Sequence, residues 1–143
     1  MENDGYGPDS AIRDLVNGLN DATIPGKYSF VHPGRDKVGT DEIAVALLFQ
    51  PDRVSPVGAA ALLNETFDAD FVTTLNRPSL AQSFRDAVSG SVLTVAVNHL
   101  KSKGSACPGD PDLGDGAGNC NLVRKRAAAA LGRWAWSDPT GSG

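Results

Sequence analysis

Apolar residues recur at helical spacing near the two ends of the chain and fall into strand-like runs between them. Ala11, Ile12, Leu15, Val16 and Leu19 line one face of a predicted covering helix, with Pro8 to Ser10 at its start. Pro25-Gly26 breaks the chain, and Tyr28 to Val31 forms a short strand candidate before the loop residue His32. Asp41 to Gln50 predicts a strong strand. Ile43, Val45, Leu47 and Phe49 share one face and Ala44, Ala46 and Leu48 the other, which places it centrally in a sheet. Pro51-Asp52 ends that run. Val54 to Val57 continues as a short extended piece in which Pro56 suits an edge, and Gly58 to Leu63 fits either strand or helix. Asn64 to Leu75 reads as loop with an extended tail.

Leu80 to Val88 is the next strand, joined through a Ser89-Gly90 turn to the most apolar stretch, SVLTVAVNHLKS. Val92, Leu93, Val95, Ala96 and Val97 make a near-continuous run there, expected to be covered on both faces. After a Gly-, Pro- and Asp-rich loop, Val123, Ala127, Ala130, Leu131 and Trp134 line a second helix, capped by Asn119 or Asn121. Trp134 and Trp136 are expected to pack. Strands flanked by helices, with no internal repeat, predict mixed α/β or α+β packing with helices outside a sheet.

A length of 143 residues suits one domain with one core. The net charge of -4 argues against polyanion binding through bulk charge, yet leaves room for a nuclease whose metal ions supply a local positive field. No apolar run reaches membrane-span length. The opening MENDGYGPDS carries no secretory signal, so the expectation is a cytosolic protein or a chain that continues upstream. Cys107 and Cys120 flank the Gly- and Asp-rich loop. A disulfide is preferred there over two reduced thiols: it would contribute about 3 kcal/mol and imply an oxidising compartment. Metal ligation is disfavoured because no CxxC pair or adjacent histidine accompanies the cysteines.

Candidate chemistry gathers where the apolar run ends in Asn98, His99, Lys101, Ser102 and Lys103. Imidazole is suited to general acid–base work near neutral pH, although a histidine merely hydrogen-bonded at a strand end is the plainer alternative. Asp41 and Glu42 open a strand and are placed to orient a histidine, or else form a solvated acidic turn. Arg77, in Asn76-Arg77-Pro78, is suited to phosphate recognition, or is one surface arginine among several. Asp110, Asp112 and Asp115 suggest a calcium loop, but their spacing departs from the usual pattern and no glutamate follows at the right distance. Arg124, Lys125, Arg126 and Arg133 read as a solvated helix face rather than a phosphate site. No P-loop, GxGxxG, GxSxG or HExxH occurs.

The stretch VAVNHLKSKGSACPGDPDLGDGAGNCN resembles the middle of secreted bacterial nucleases in the endonuclease/exonuclease/phosphatase family, related to DNase I. ENDGYGPDSAIRDLVNGLN, GTDEIAVALLFQPDRVSPVG and NRPSLAQSF are similar to further segments of that family in the same order, so the resemblance covers nearly the whole chain. It implies part of a four-layer sandwich of two packed sheets with outer helices. Residues 1–143 would be the central part of that domain, without the opening strand and metal-ligand Glu, the Gly-Asp-x-Asn strand or the Asp-His pair. Glu2 aligns best with a second, non-ligand Glu, which leaves it a weak metal candidate.

The resemblance also implies roles. His99 would assist phosphodiester cleavage with Asn98 beside it, and Arg77 would contact a phosphate with Lys101 and Ser102 near. Asp41 would support the histidine, with Glu42 as the alternative. The implied metal is Mg²⁺ (or Mn²⁺ or Ca²⁺), the substrate DNA or RNA, and the location extracellular, with no obligate protein partner. The isolated chain is expected to be inactive, marginally stable and left with exposed apolar surface. A phosphoesterase acting on lipid or nucleotide phosphates, and a non-catalytic disulfide-stapled or calcium-binding module, are the alternatives.

Overall fold

The computed structural model describes residues 1–143 as an α+β arrangement of two antiparallel sheets and two helices. Helix α1 (Ala11–Asp21) forms as its periodicity predicts and buries Ile12 and Val16. Strands β1 (Ser29–Phe30) and β2 (Leu48–Phe49) pair as a two-stranded sheet. Strands β3 (Val54–Leu63), β4 (Arg77–Asp86) and β5 (Val92–His99) form a three-stranded sheet in that order, with β4 central. Helix α2 (Asn121–Trp136) closes the chain.

The two faces predicted for residues 43–49 are borne out from Ala44 to Phe49, whereas Ile43 is exposed. Ala44, Ala46 and Leu48 pack with Tyr6, Ile12 and Phe30 beneath α1. Val45, Leu47 and Phe49 pack with Leu80, Phe84, Val95 and Val97 of the large sheet. On that sheet's other side, Leu63, Phe71 and Ala81 meet Ala127, Ala130 and Trp134 of α2. The strand itself is less regular than predicted. Residues 42–44 bond to residues 1–3, through Asn3 N–H to Glu42 O and Ala44 N–H to Met1 O, whereas Val31 N–H bonds to Leu47 O. Alternation of backbone direction puts these partners on opposite edges, and each pairing is short: the single bridge Glu2–Ile43 on one and the Leu48–Phe49 strand on the other.

Three further expectations change. The expected burial of β5 on both faces does not occur. It is an edge strand, with Leu93 50% exposed, and β4 is the buried one. The polar letters of β4 hide this, because Ser79, Gln82 and Ser83 are buried with their hydrogen bonds met. Ser79 Oγ donates to Val97 O, Gln82 Nε2 donates to Val57 O, and Ser83 Oγ joins Thr94, Thr140 and Ser142. Neither Asn119 nor Asn121 caps α2 with its side chain. Asp110 Oδ2 instead accepts the N–H of Val123 at 3.0 Å. Trp134 is buried, but Trp136 is 92% exposed because it lies at the last turn, off the packed face.

The ambiguous run Gly58 to Leu63 is strand, continuous with Val54 and interrupted by an irregularity between Val57 and Ala61. The C-terminal segment lies against it: Ala59 N–H donates to Thr140 O, and a Cβ on Gly58 would sit 2.1 Å from that oxygen. Cys107 and Cys120 form a disulfide, with Cα atoms 5.3 Å apart. Between the two sheets a groove of about 460 Å³ stays open, lined among others by Leu47, Phe49, Val54, Phe84, Leu93 and Val95. No helix is long and apolar enough to cross a membrane.

Candidate functional site

The segment carrying Asp41, the first residue of β4 and the last residue of β5 meet at one end of the large sheet. Antiparallel pairing sets Arg77 directly opposite His99. Arg77 Nη2 lies 2.9 Å from Asp41 Oδ2. Three residues far apart in sequence therefore converge. Alternation along β5 puts His99 on the face of Val95 and Val97, which looks toward the small sheet. Asn98 falls on the opposite face with Ala96, so it neighbours His99 in sequence but not in orientation.

The expected support of His99 by Asp41 is not what the side chains do. The Asp41 carboxylate holds Arg77, and its Oδ1 accepts the N–H of Ile43. His99 is exposed and free of side-chain hydrogen bonds. Arg77 Nε and Asn98 Oδ1 are buried without partners, while Asn98 Nδ2 donates to Ala96 O. The Arg77 guanidinium is thus held by Asp41 through Nη2, while its Nε is buried without a partner.

Two asparagines that sequence reasoning gave no role build the frame. Asn3 is buried. Its Nδ2 donates to Val38 O (3.1 Å) and Asp41 O (2.9 Å), and its Oδ1 accepts the Val38 N–H (3.0 Å). It thereby sets the backbone of the loop that presents Asp41. A Cβ on Gly39 in the same loop would lie 2.8 Å from Pro78 Cδ, so the loop is seated on the residue after Arg77. Asn76, also buried, accepts the Lys101 N–H on Oδ1 (2.9 Å) and donates to Val72 O. It fixes where the chain leaves β5. The only signal in the sequence is an asparagine beside a turn, which is common to many surface loops.

Lys101 Nζ bonds to Ser105 Oγ, and Ser102 Oγ lies 3.2 Å from the same hydroxyl. That short basic segment folds on itself beside the site. Glu2 and Glu42 lie apart from Arg77, around a shallow depression shared with Asp4 and Lys37. Mg²⁺ takes oxygen ligands and is commonly held by one or two carboxylates plus substrate phosphates. These oxygens have the right chemistry, and Lys37 lines the same depression; no group of three or more His, Cys, Asp or Glu side chains is arranged to hold a metal ion.

The loop aspartates are occupied locally. Asp110 caps α2, Asp112 Oδ1 accepts the Gly114 N–H, and Asp115 Oδ1 accepts the Ala117 N–H. His32 closes a turn by accepting the Gly34 N–H on Nδ1 and packs on the Tyr6 ring. Arg133 binds Asp68 and Asp70, and Arg124 donates to the carbonyls of Asn119 and Ala117, so both are structural.

No protein-family model matches the sequence, and no curated protein or solved structure matches it either.

Proposed function

We propose that the chain is the central part of a metal-dependent nuclease domain of the endonuclease/exonuclease/phosphatase type, which hydrolyses phosphodiester bonds in extracellular nucleic acid. The observation that carries this reading is the convergence of Asp41, Arg77 and His99 from three separate segments on one sheet end. In this reading Arg77, oriented by Asp41, holds a phosphate oxygen with the guanidinium N–H groups that Asp41 does not use. His99 moves a proton at the reacting oxygens, and the Lys101–Ser102 segment contacts a neighbouring phosphate. A divalent ion, Mg²⁺ first, would stabilise charge developing on the phosphate.

Packing order supports the four-layer form of the fold. One apolar cluster lies beneath α1, a second between the sheets and a third beneath α2. The free edge of β5 and the open apolar groove are surfaces that a larger sandwich would cover. The disulfide agrees with an oxidising location.

Plasmid cleavage in Mg²⁺, with and without chelator, tests the proposal on three proteins. They are this chain, a form extended through the upstream and downstream reading frame, and that form carrying His99→Ala. The expected result is cutting by the extended, unmutated protein alone. Cutting that survives His99→Ala in the extended form would overturn the site, and no cutting by any of them would overturn the nuclease reading.

A further inference from the structure

The loop joining β3 to β4, residues 64–76, leaves and re-enters the sheet at the end that carries Arg77 and His99. It is pinned at four places. Phe71 is fully buried in the cluster beneath α2. The Glu65 carboxylate accepts hydrogen bonds from both the backbone and the hydroxyl of Thr73. Arg133 holds Asp68 and Asp70 at 2.7 and 2.9 Å. Asn76 ties the loop's end to Lys101. Yet this braced loop presents Phe67 to solvent, 48% exposed.

Isolated exposed apolar residues are ordinary. Phe67 differs in its setting, because it borders a depression of about 410 Å³ whose other walls are Arg35, Leu62, Asn64 and Thr66. That volume lies within the range of roughly 300–1,000 Å³ usual for small-ligand sites. Arg35 belongs to the loop that continues to Gly39 and Asp41, so the depression and the Asp41–Arg77–His99 group share two loops. Asn64 accepts the Thr66 N–H on its Oδ1, which leaves its amide nitrogen for a ligand.

The geometry points to a nucleotide subsite in this depression. The Phe67 ring stacks on a base of a single-stranded nucleic acid, Arg35 contacts the adjoining phosphate, and Asn64 reaches the base edge. An aromatic face, a guanidinium and an amide on braced backbone form a stacking platform with a backbone clamp, which accepts any base. A duplex keeps its base faces inside the stack and offers none to Phe67. Bracing matters because a platform already held in place loses little entropy when a strand binds. The inference rests on the nuclease reading and adds to it a preference for unpaired strands.

Fluorescence anisotropy of a short end-labelled oligothymidylate, with chelator present, tests it on this chain and on Phe67→Ala, Phe67→Tyr, Arg35→Ala and Arg77→Ala. Phe67→Ala is expected to weaken single-strand binding about tenfold. Phe67→Tyr retains it, and Arg35→Ala weakens it with a shallower salt dependence. Binding of the corresponding duplex is expected to be unchanged by Phe67→Ala. Weakening by Arg77→Ala without any effect of Phe67→Ala overturns the subsite and leaves the nuclease reading standing. Equal loss on single strand and duplex overturns the preference for unpaired strands. No single-strand binding by the unmutated chain overturns the subsite, whereas the nuclease reading stands or falls separately on plasmid cleavage by the extended form.

Discussion

The Asp41–Arg77 ion pair and the Asn3 hydrogen bonds act on the same loop with unequal weight. The pair's side chains are 43% and 21% exposed, and ion pairs of that kind contribute about 0–1 kcal/mol. Asn3 is buried and satisfies three backbone groups, so its removal strands a donor and two acceptors at roughly 1–3 kcal/mol. Asn3→Ala is therefore expected to lower the urea midpoint clearly, and Asp41→Ala to leave it nearly unchanged; equal effects would contradict this assignment. A pair that adds so little to stability while aiming a guanidinium fits a role in orientation. His99, Arg77 and Asp41 were visible in the sequence as polar groups at strand ends. That Asp41 would hold the arginine rather than the histidine was not visible, because it depends on how the loop of Gly39 sits on Pro78. Asn3 and Asn76 were hidden for a related reason, since nothing local marks a buried asparagine.

Among the elements, the burial expected of β5 belongs to β4, because apolar letters alone do not locate the buried strand. Strand β5 is the more apolar and lies at an edge, whereas β4 is buried with serines and a glutamine whose hydrogen bonds run to neighbouring strands and the C-terminal segment. Helices α1 and α2 were readable because a period of 3.6 survives without tertiary knowledge. The extent of β3 was not, since its run of alanines carries no period. Close approach of the C-terminal segment fixes one of its positions: Gly58, at φ +69°, meets Thr140 O. Gly58→Ala is expected to cost about 1–3 kcal/mol through overpacking and backbone strain, read as a lower melting temperature. An unchanged melting temperature would mean that the segment is not held there.

Over the whole molecule, pH should act through several hydrogen-bonded carboxylates. Arg133 holds Asp68 below the usual carboxylate range, the Ser89 N–H and hydroxyl do the same for Asp86, and the N–H groups of Gly143 and Ser142 for Asp138. Each binds its proton less readily in the folded chain than in the unfolded one. Their contribution is therefore complete above the unfolded value, near pH 4, and is lost as pH falls through the folded values. Urea midpoints are expected to stay level from about pH 7 to 5 and to fall below about pH 4. A midpoint that rises on acidification would contradict the assignment. Each of these carboxylates ties down a different part of the chain: the loop before β4, the β4–β5 turn and the segment after α2.

The hold of Asn3 on residues 38–41 also has a meaning in time. Strands β4 and β5 close through a short turn, and hairpins of that kind form within microseconds. The hydrogen bond from Asn3 to Asp41 spans 38 residues, so chain entropy delays it until much of the intervening chain is already ordered. The sheet end carrying Arg77 and His99 thus forms early, and the loop presenting Asp41 settles onto it late. Substitutions in the β4–β5 hairpin should then slow refolding, whereas loss of Asn3 should chiefly hasten unfolding. Double-jump refolding that shows Asn3→Ala slowing folding as much as a hairpin substitution would contradict this order.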